Sequence, residues 1–379
     1  MIAAREELVD RARDSTGLSD LGADGWQEGL DRLVDAARTD VDLDDDSARR
    51  FEATAIGRLV NRLRIEDWYA QQSSPPPEID GLVVIHGLPR TGTTALENLL
   101  ALGPTFRYQR RWEISDPVPP PDAATEAEDP RRLRALGAGD ATGAFSVQHI
   151  SSVDGAVDDG TILGLDFHNQ ELGLPVPTYT RWWRSADCSS TYAYHERILR
   201  LLHVRRGPRR WLVKAPYHNF HIDDLAAQYP NARFLMTHRD PALAFPSTCS
   251  VVATTRRGML PGEPFDPVAL GAFLLEHLVD GAGRAMAARA AIGEDRFLDV
   301  HQLELQDDAV GTAERVYDFL GIPLDDTLRA TMEEWAVANA RGSRGEHAYS
   351  PEEYGLTADE IRSAFSAYMQ RYDVQPEAE

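Results

Sequence analysis

Gly87, Arg90, Thr91, Gly92, Thr93 and Thr94 fall within eight residues of one another in the run GLVVIHGLPRTGTTALENLLAL (81–102), a set equipped to hold an anion. Glycines let the backbone turn tightly and aim successive N–H groups at one point, and a helix beginning there adds the positive end of its dipole. Arg90 supplies a planar, bidentate fork, and the three threonines supply hydroxyl donors. Gly87, four residues, Gly92 and Thr94 keep the spacing of a nucleoside-triphosphate loop, but Thr93 stands where such a loop requires lysine. The chemistry so defined is capture of a terminal phosphate with no need for magnesium. An ordinary glycine-containing turn between strand and helix would use the same glycines, so this run alone leaves both readings open.

Three further places carry reactive side chains. Lys214 ends the short apolar run Trp211-Leu212-Val213, at the carboxyl end of an expected strand, where open α/β sheets place their active groups. His218 follows four residues later and, with an imidazole that titrates near neutrality, is a candidate general base. Glu113 is the other candidate base: it follows Arg107, Arg110 and Arg111, and pairing with Arg110 and Arg111 would hold it ionised while weakening it as a base. His149 and His168 have no metal-ligand spacing, and no metal is expected.

The segment Pro89-Arg90-Thr91-Gly92-Thr93-Thr94 resembles the 5'-phosphosulfate loop of sulfotransferases that use 3'-phosphoadenosine 5'-phosphosulfate (PAPS), in its bacterial and Golgi-type form. The resemblance implies that Arg90, Thr91, Gly92, Thr93 and Thr94 bind the donor. It implies that Arg239, directly after an expected strand, and Ser247, eight positions on, bind its 3'-phosphate; a fixed guanidinium and a hydroxyl suit that task. The run KAPYH resembles the family's Lys-Ser/Ala-Pro-x-His segment, which implies that Lys214 reaches the oxygen bridging phosphate and sulfate. Trp112-Glu113 resembles a family Trp-Glu that makes Glu113 the first candidate base. Cytosolic members place a histidine two residues after the lysine, where this chain has Pro216, so His218 stays a rival rather than a match. The loop 339–355 implies a cover over the donor, with Arg344 as its phosphate ligand. Pro177-Thr178-Tyr179-Thr180-Arg181-Trp182 keeps a family signature, whereas Asp158-Asp159-Gly160-Thr161 departs from the family's acidic pair followed by cysteine, which bears on substrate identity. The implied reaction moves a sulfuryl group in line from PAPS to an acceptor hydroxyl, leaving adenosine 3',5'-bisphosphate. Two alternatives remain: a P-loop nucleotide kinase or NTPase, against which the missing loop lysine counts, and a nucleotide-binding protein without catalysis.

These residues need a scaffold of strands feeding helices. Apolar, β-branched runs predict strands over 81–86, 211–214, 232–237 and 297–300, with helices between them. The expected fold is α/β: a three-layer, P-loop-like domain over 80–379 with a central parallel sheet, preceded by a helical extension over 1–72 and the linker SSPPPE. Residues 145–183 are the expected acceptor lid. Asp and Glu outnumber Lys and Arg by 61 to 39, a net charge of -22. That balance disfavours nucleic acid and anionic glycans and favours a small hydroxyl acceptor, neutral or apolar. Two cysteines, no signal-like N-terminus and no long apolar run read as a cytoplasmic protein without an integral membrane segment, with a homodimer as one option.

Overall fold

The computed structural model describes residues 2–79, 81–137, 153–207, 209–262, 264–339 and 350–377. Its centre is a sheet of five parallel strands: β1 (Leu82–Gly87), β2 (Phe106–Arg107), β3 (Arg210–Lys214), β4 (Arg233–His238) and β5 (Phe297–His301). They run in the order β2-β3-β1-β4-β5. Parallel strands buried on both faces read as continuous apolar runs, as LVVI in β1 does. Alternate residues then serve opposite layers. Val83, Ile85, Leu212 and Leu235 pack with Leu96, Leu99 and Val316, whereas Val84, Val213, Phe234 and Met236 pack with Leu59, Leu63, Ile198 and Leu202.

The register explains where a site can form. β1 sits between β3 and β4, and its chain leaves into helix α4 (Thr93–Leu100), so the strand order reverses direction at β1. A crevice opens at the carboxyl ends of strands at such a point. Gly87, Lys214 and His238 end the three central strands, and therefore bring the 87–92 loop, Lys214 and Arg239 to one edge.

The first 70 residues form three helices, α1 (Arg5–Thr16), α2 (Trp26–Thr39) and α3 (Asp45–Ala70), whose apolar faces join the same core cluster as the main layer. Arg62 anchors them: fully buried, it donates to Asp166 at 3.0 Å and to the carbonyls of Leu21, Leu165 and Ala23. The third helix is capped by Asp44, which accepts from the Ser47 N–H. The helix after Arg239 runs from Pro241 to Met259. Within it the Thr254 and Thr255 hydroxyls bond back to the carbonyls one turn before them and so satisfy themselves.

Candidate active site

The loop between β1 and α4 is held in a shape that few residues tolerate. Gly87 has φ 137°, and a Cβ there would lie 2.5 Å from the Thr237 carbonyl oxygen; Gly92 has φ 96°. Arg90 itself adopts φ 66°, an uncommon conformation for a side chain-bearing residue. Thr91 fixes the turn from within: its hydroxyl donates to the Leu88 carbonyl and meets the Thr237 hydroxyl, both at 2.6 Å. Being fully buried, Thr91 is a loop anchor, not the side-chain ligand expected from sequence. Among the described residues no side chain caps α4, which leaves its first-turn N–H groups without a side-chain acceptor.

Arg90, Arg239 and Ser247 come together although 157 residues separate the first from the last. Arg90 Nε donates to Ser247 Oγ at 3.0 Å, and Arg239 Nη1 donates to the Arg90 carbonyl at 3.3 Å. Beside them lies a cavity of about 350 Å³ lined by Arg90, Gly92, Thr93, Thr94, Lys214 and Arg239. Asp158, Tyr217, Gln170 and Gln302 add polar groups; Leu172, Val251 and Val252 give it an apolar flank. Ser247 is not itself a lining residue, but its chain neighbour Thr248 is.

Lys214 projects into the cavity between two carboxylates. Its Nζ lies 3.6 Å from Glu97 and 3.9 Å from Asp158. Burial works against the charged ammonium, but Glu97 and Asp158 outweigh it and raise its pKa. Glu97, on α4 and wholly inaccessible, is pushed up to about 7, chiefly by burial. Asp158 is different: its side chain is 47% exposed and it accepts from the Tyr217 hydroxyl at 3.0 Å and the Gly160 N–H at 3.2 Å.

Neither carboxylate nor imidazole proposed from sequence as the base lines this cavity. Glu113 is fully buried and clamped between Arg107 at 2.6 Å and Arg206 at 2.9 Å, not by Arg110 and Arg111. Arg110 instead pairs with Glu126. A carboxylate held by two guanidinium groups and closed to solvent is a poor proton acceptor. His218 is equally closed. Its Nε2–H donates to Asp159 at 2.8 Å and its Nδ1 accepts from the Tyr192 hydroxyl at 2.9 Å, leaving neither nitrogen for a substrate. Asp159 also receives Gln109 and lies 3.4 Å from His195. Burial alone would raise the Asp159 pKa, but His195 and His218 bring it down to about 2.

The group missed by sequence reasoning is Asp158. Its signal was present in the acidic pair 158–159, read there as bearing on substrate identity rather than on proton transfer. Arg344, with the rest of the expected covering loop from 340 to 349, lies outside the described residues, as does His149. Away from the cavity, Cys188, His221 and Asp224 bring their ligand atoms within 4.8 Å of one another; burial raises the Cys188 thiol, and His221 Nε2 donates to the Trp183 carbonyl. Among the described residues, no helix is long and apolar enough to cross a membrane.

The sequence over residues 83–326 matches the model of a family described as the sulfotransferase family. This chain belongs to that family. Sulfotransferase STF9 from Mycobacterium avium is similar over 100% of this chain and 99% of its own, with 29% identity and a TM-score of 0.89. Sulfotransferase STF1 from Mycobacterium tuberculosis H37Rv is similar over 97% and 99%, with 28% identity and a TM-score of 0.82. No curated protein sequence matches. The α/β fold, the central parallel sheet and the N-terminal helical region are thus those of a bacterial sulfotransferase. It is a PAPS-dependent enzyme that transfers a sulfuryl group to an acceptor hydroxyl.

Proposed function

We propose that the cavity at the end of β1 binds PAPS across its two phosphate groups and that Asp158 takes the proton from the acceptor hydroxyl. The observation that carries this reading is that Asp158 and Lys214 line the same cavity as Arg90, Thr93, Thr94 and Arg239. The donor set fits the donor's chemistry. Arg90, the uncapped start of α4 and the Thr93 and Thr94 hydroxyls suit the 5'-phosphosulfate. Arg239 and Ser247, tied to Arg90 through its carbonyl and its Nε, suit the 3'-phosphate, so one bonded unit serves both ends of the nucleotide.

In this scheme Asp158 accepts the hydroxyl proton while the acceptor oxygen bonds to sulfur. Lys214 stabilises the bridging oxygen, which keeps the electron pair of the breaking sulfur–oxygen bond and leaves as phosphate oxygen. Tyr217 and the Gly160 N–H orient one oxygen of Asp158 and leave the other toward Lys214 and the cavity. The acceptor is a small neutral or apolar hydroxyl compound: Leu172, Val251 and Val252 form an apolar flank, and Asp158 opposes a second anion. Residues 153–183, part of the expected lid, contribute Asp158, Gln170 and Leu172 to the lining.

The test is transfer from radiolabelled PAPS to a panel of phenols and aliphatic alcohols. D158N is expected to lower kcat by about 10²- to 10⁴-fold, the usual share of a general base, while calorimetric affinity for adenosine 3',5'-bisphosphate holds. Unchanged turnover in D158N would remove Asp158 from this role.

A further inference from the structure

Behind Lys214, on the side away from the cavity, stands a carboxyl group that the scheme above does not use. Glu97 is wholly buried on the first turns of α4, and among the described residues neither of its carboxylate oxygens has a hydrogen-bond partner. Its nearest charge is the Lys214 ammonium at 3.6 Å, too far for a hydrogen bond and close enough for strong attraction. The other charged groups acting on it are Asp158 and Asp159, both negative, from the loop ahead of residue 160. The helix that carries it packs in an apolar layer: its Leu96, Leu99 and Leu100 cluster with Val83 and Ile85 from β1, Leu212 from β3, and Ala313 and Val316 from the helix 309–320. Among the described residues, Lys214 is therefore the cation that makes a charged Glu97 tolerable.

We infer that Glu97 is a positioning residue that holds Lys214 at the cavity wall before the donor arrives and takes up a proton when the donor's phosphate draws Lys214 away. The inference rests on the reading that the cavity binds the nucleotide. Once the ammonium turns to an incoming anion, Glu97 keeps two carboxylate neighbours and gains a third negative charge across the lysine. A buried carboxylate in that position neutralises instead of remaining charged. The free protein is already poised for this, since burial holds Glu97 near neutrality in its titration. No bond other than that proton's is made or broken, and the proton comes from solvent. By linkage, a ligand whose binding takes up a proton binds more weakly as pH rises.

The experiment is titration of adenosine 3',5'-bisphosphate into the full chain by calorimetry at pH 8, in buffers of differing ionisation enthalpy. At that pH the ligand's own phosphates are almost fully deprotonated. Uptake approaching one proton per site is expected for the wild type and none for E97Q, with affinity falling up to about tenfold per pH unit above neutrality in the wild type only. Equal proton uptake in both proteins, or none in the wild type, would overturn the inference while leaving nucleotide binding intact. Absence of binding at any pH would instead remove the reading of the cavity on which it rests. Infrared difference spectra of the wild type provide a check that requires no variant. The C=O stretch of a protonated carboxyl is expected to appear on adding the nucleotide, and its absence would contradict the inference even if E97Q failed to fold.

Discussion

Two arginine-rich regions of this molecule have opposite electrostatic settings. In the first, Arg107, Arg110 and Arg206 surround Glu113 and Glu126, and each guanidinium meets a carboxylate. In the second, Arg90 donates to a hydroxyl and Arg239 to a backbone carbonyl, at the wall of a cavity that also holds Lys214. The first region joins the 107–126 segment to Arg206; its charges are spent on one another. The second ties its arginines to a hydroxyl and a backbone carbonyl that orient the forks, with the Glu377 carboxylate standing off at 4.0 Å from Arg239. Local concentration of arginine in a sequence therefore does not mark an anion site, and the partner that each guanidinium finds does. The two acidic neighbours Asp158 and Asp159 repeat the lesson at closer range. One is half-exposed at the cavity, and the other is sealed among Gln109, His195 and His218.

The largest effect that would break this comparison is on stability. E113A strands the buried Arg107 and leaves Arg206 with Glu126 alone, and loss of one partner from a buried pair costs about 3–5 kcal/mol. Denaturant unfolding is expected to show that loss, while turnover per folded molecule is retained; a folded E113A without activity would restore Glu113 as the base. R239A is expected to leave unfolding nearly unchanged and to weaken adenosine 3',5'-bisphosphate by about 10- to 100-fold, the worth of a charge-assisted hydrogen bond or two. Arg90→Lys keeps the charge but removes the fork that meets Ser247, and a smaller loss of about tenfold in affinity is expected from titration calorimetry.

The smallest effect is a pH dependence. The Asp159 pKa is depressed to about 2 in the fold, against about 3.9 for an unfolded aspartate. A depressed carboxyl binds fewer protons folded than unfolded, so its stabilising contribution is complete above the unfolded value and disappears as pH falls through the folded one. Unfolding free energy measured between about pH 4 and pH 2 is expected to fall less steeply in D159N than in the wild type. Identical slopes would separate Asp159 from the histidines that surround it.

Much of the scaffold was legible because its signals are local. The strand, glycine turn and helix over 81–102 announce themselves through residue types whose partners lie within one turn. The same is true of Thr357 and Glu360, which form a reciprocal cap, and of Gly321, which ends its helix at φ 65°. Arg239 and Ser247 were legible as a spaced pair, and the structure brings both to Arg90. The proposed proton acceptor, Asp158, was not legible. Glu113 and Asp158 are both carboxylates near family signatures, and what separates them is Arg206, 93 residues from Glu113, and the burial it imposes. His218 likewise has the right side chain and a plausible place, but Asp159 and Tyr192 occupy both of its nitrogens. Glu97 passed unnoticed because a glutamate on a short helix reads as surface, and nothing local reveals that Lys214 lies behind it.

The central claim is that one bonded unit of Arg90, Arg239 and Ser247 reads both phosphate ends of the donor. Its most direct test is calorimetry of adenosine 3',5'-bisphosphate and 5'-AMP, each titrated into wild type and R239A. The account predicts that removing the 3'-phosphate and removing Arg239 each weaken binding by more than about tenfold, and that R239A binds 5'-AMP as the wild type does. Equal weakening of both nucleotides by R239A, or indifference of the bisphosphate to Arg239, would contradict it.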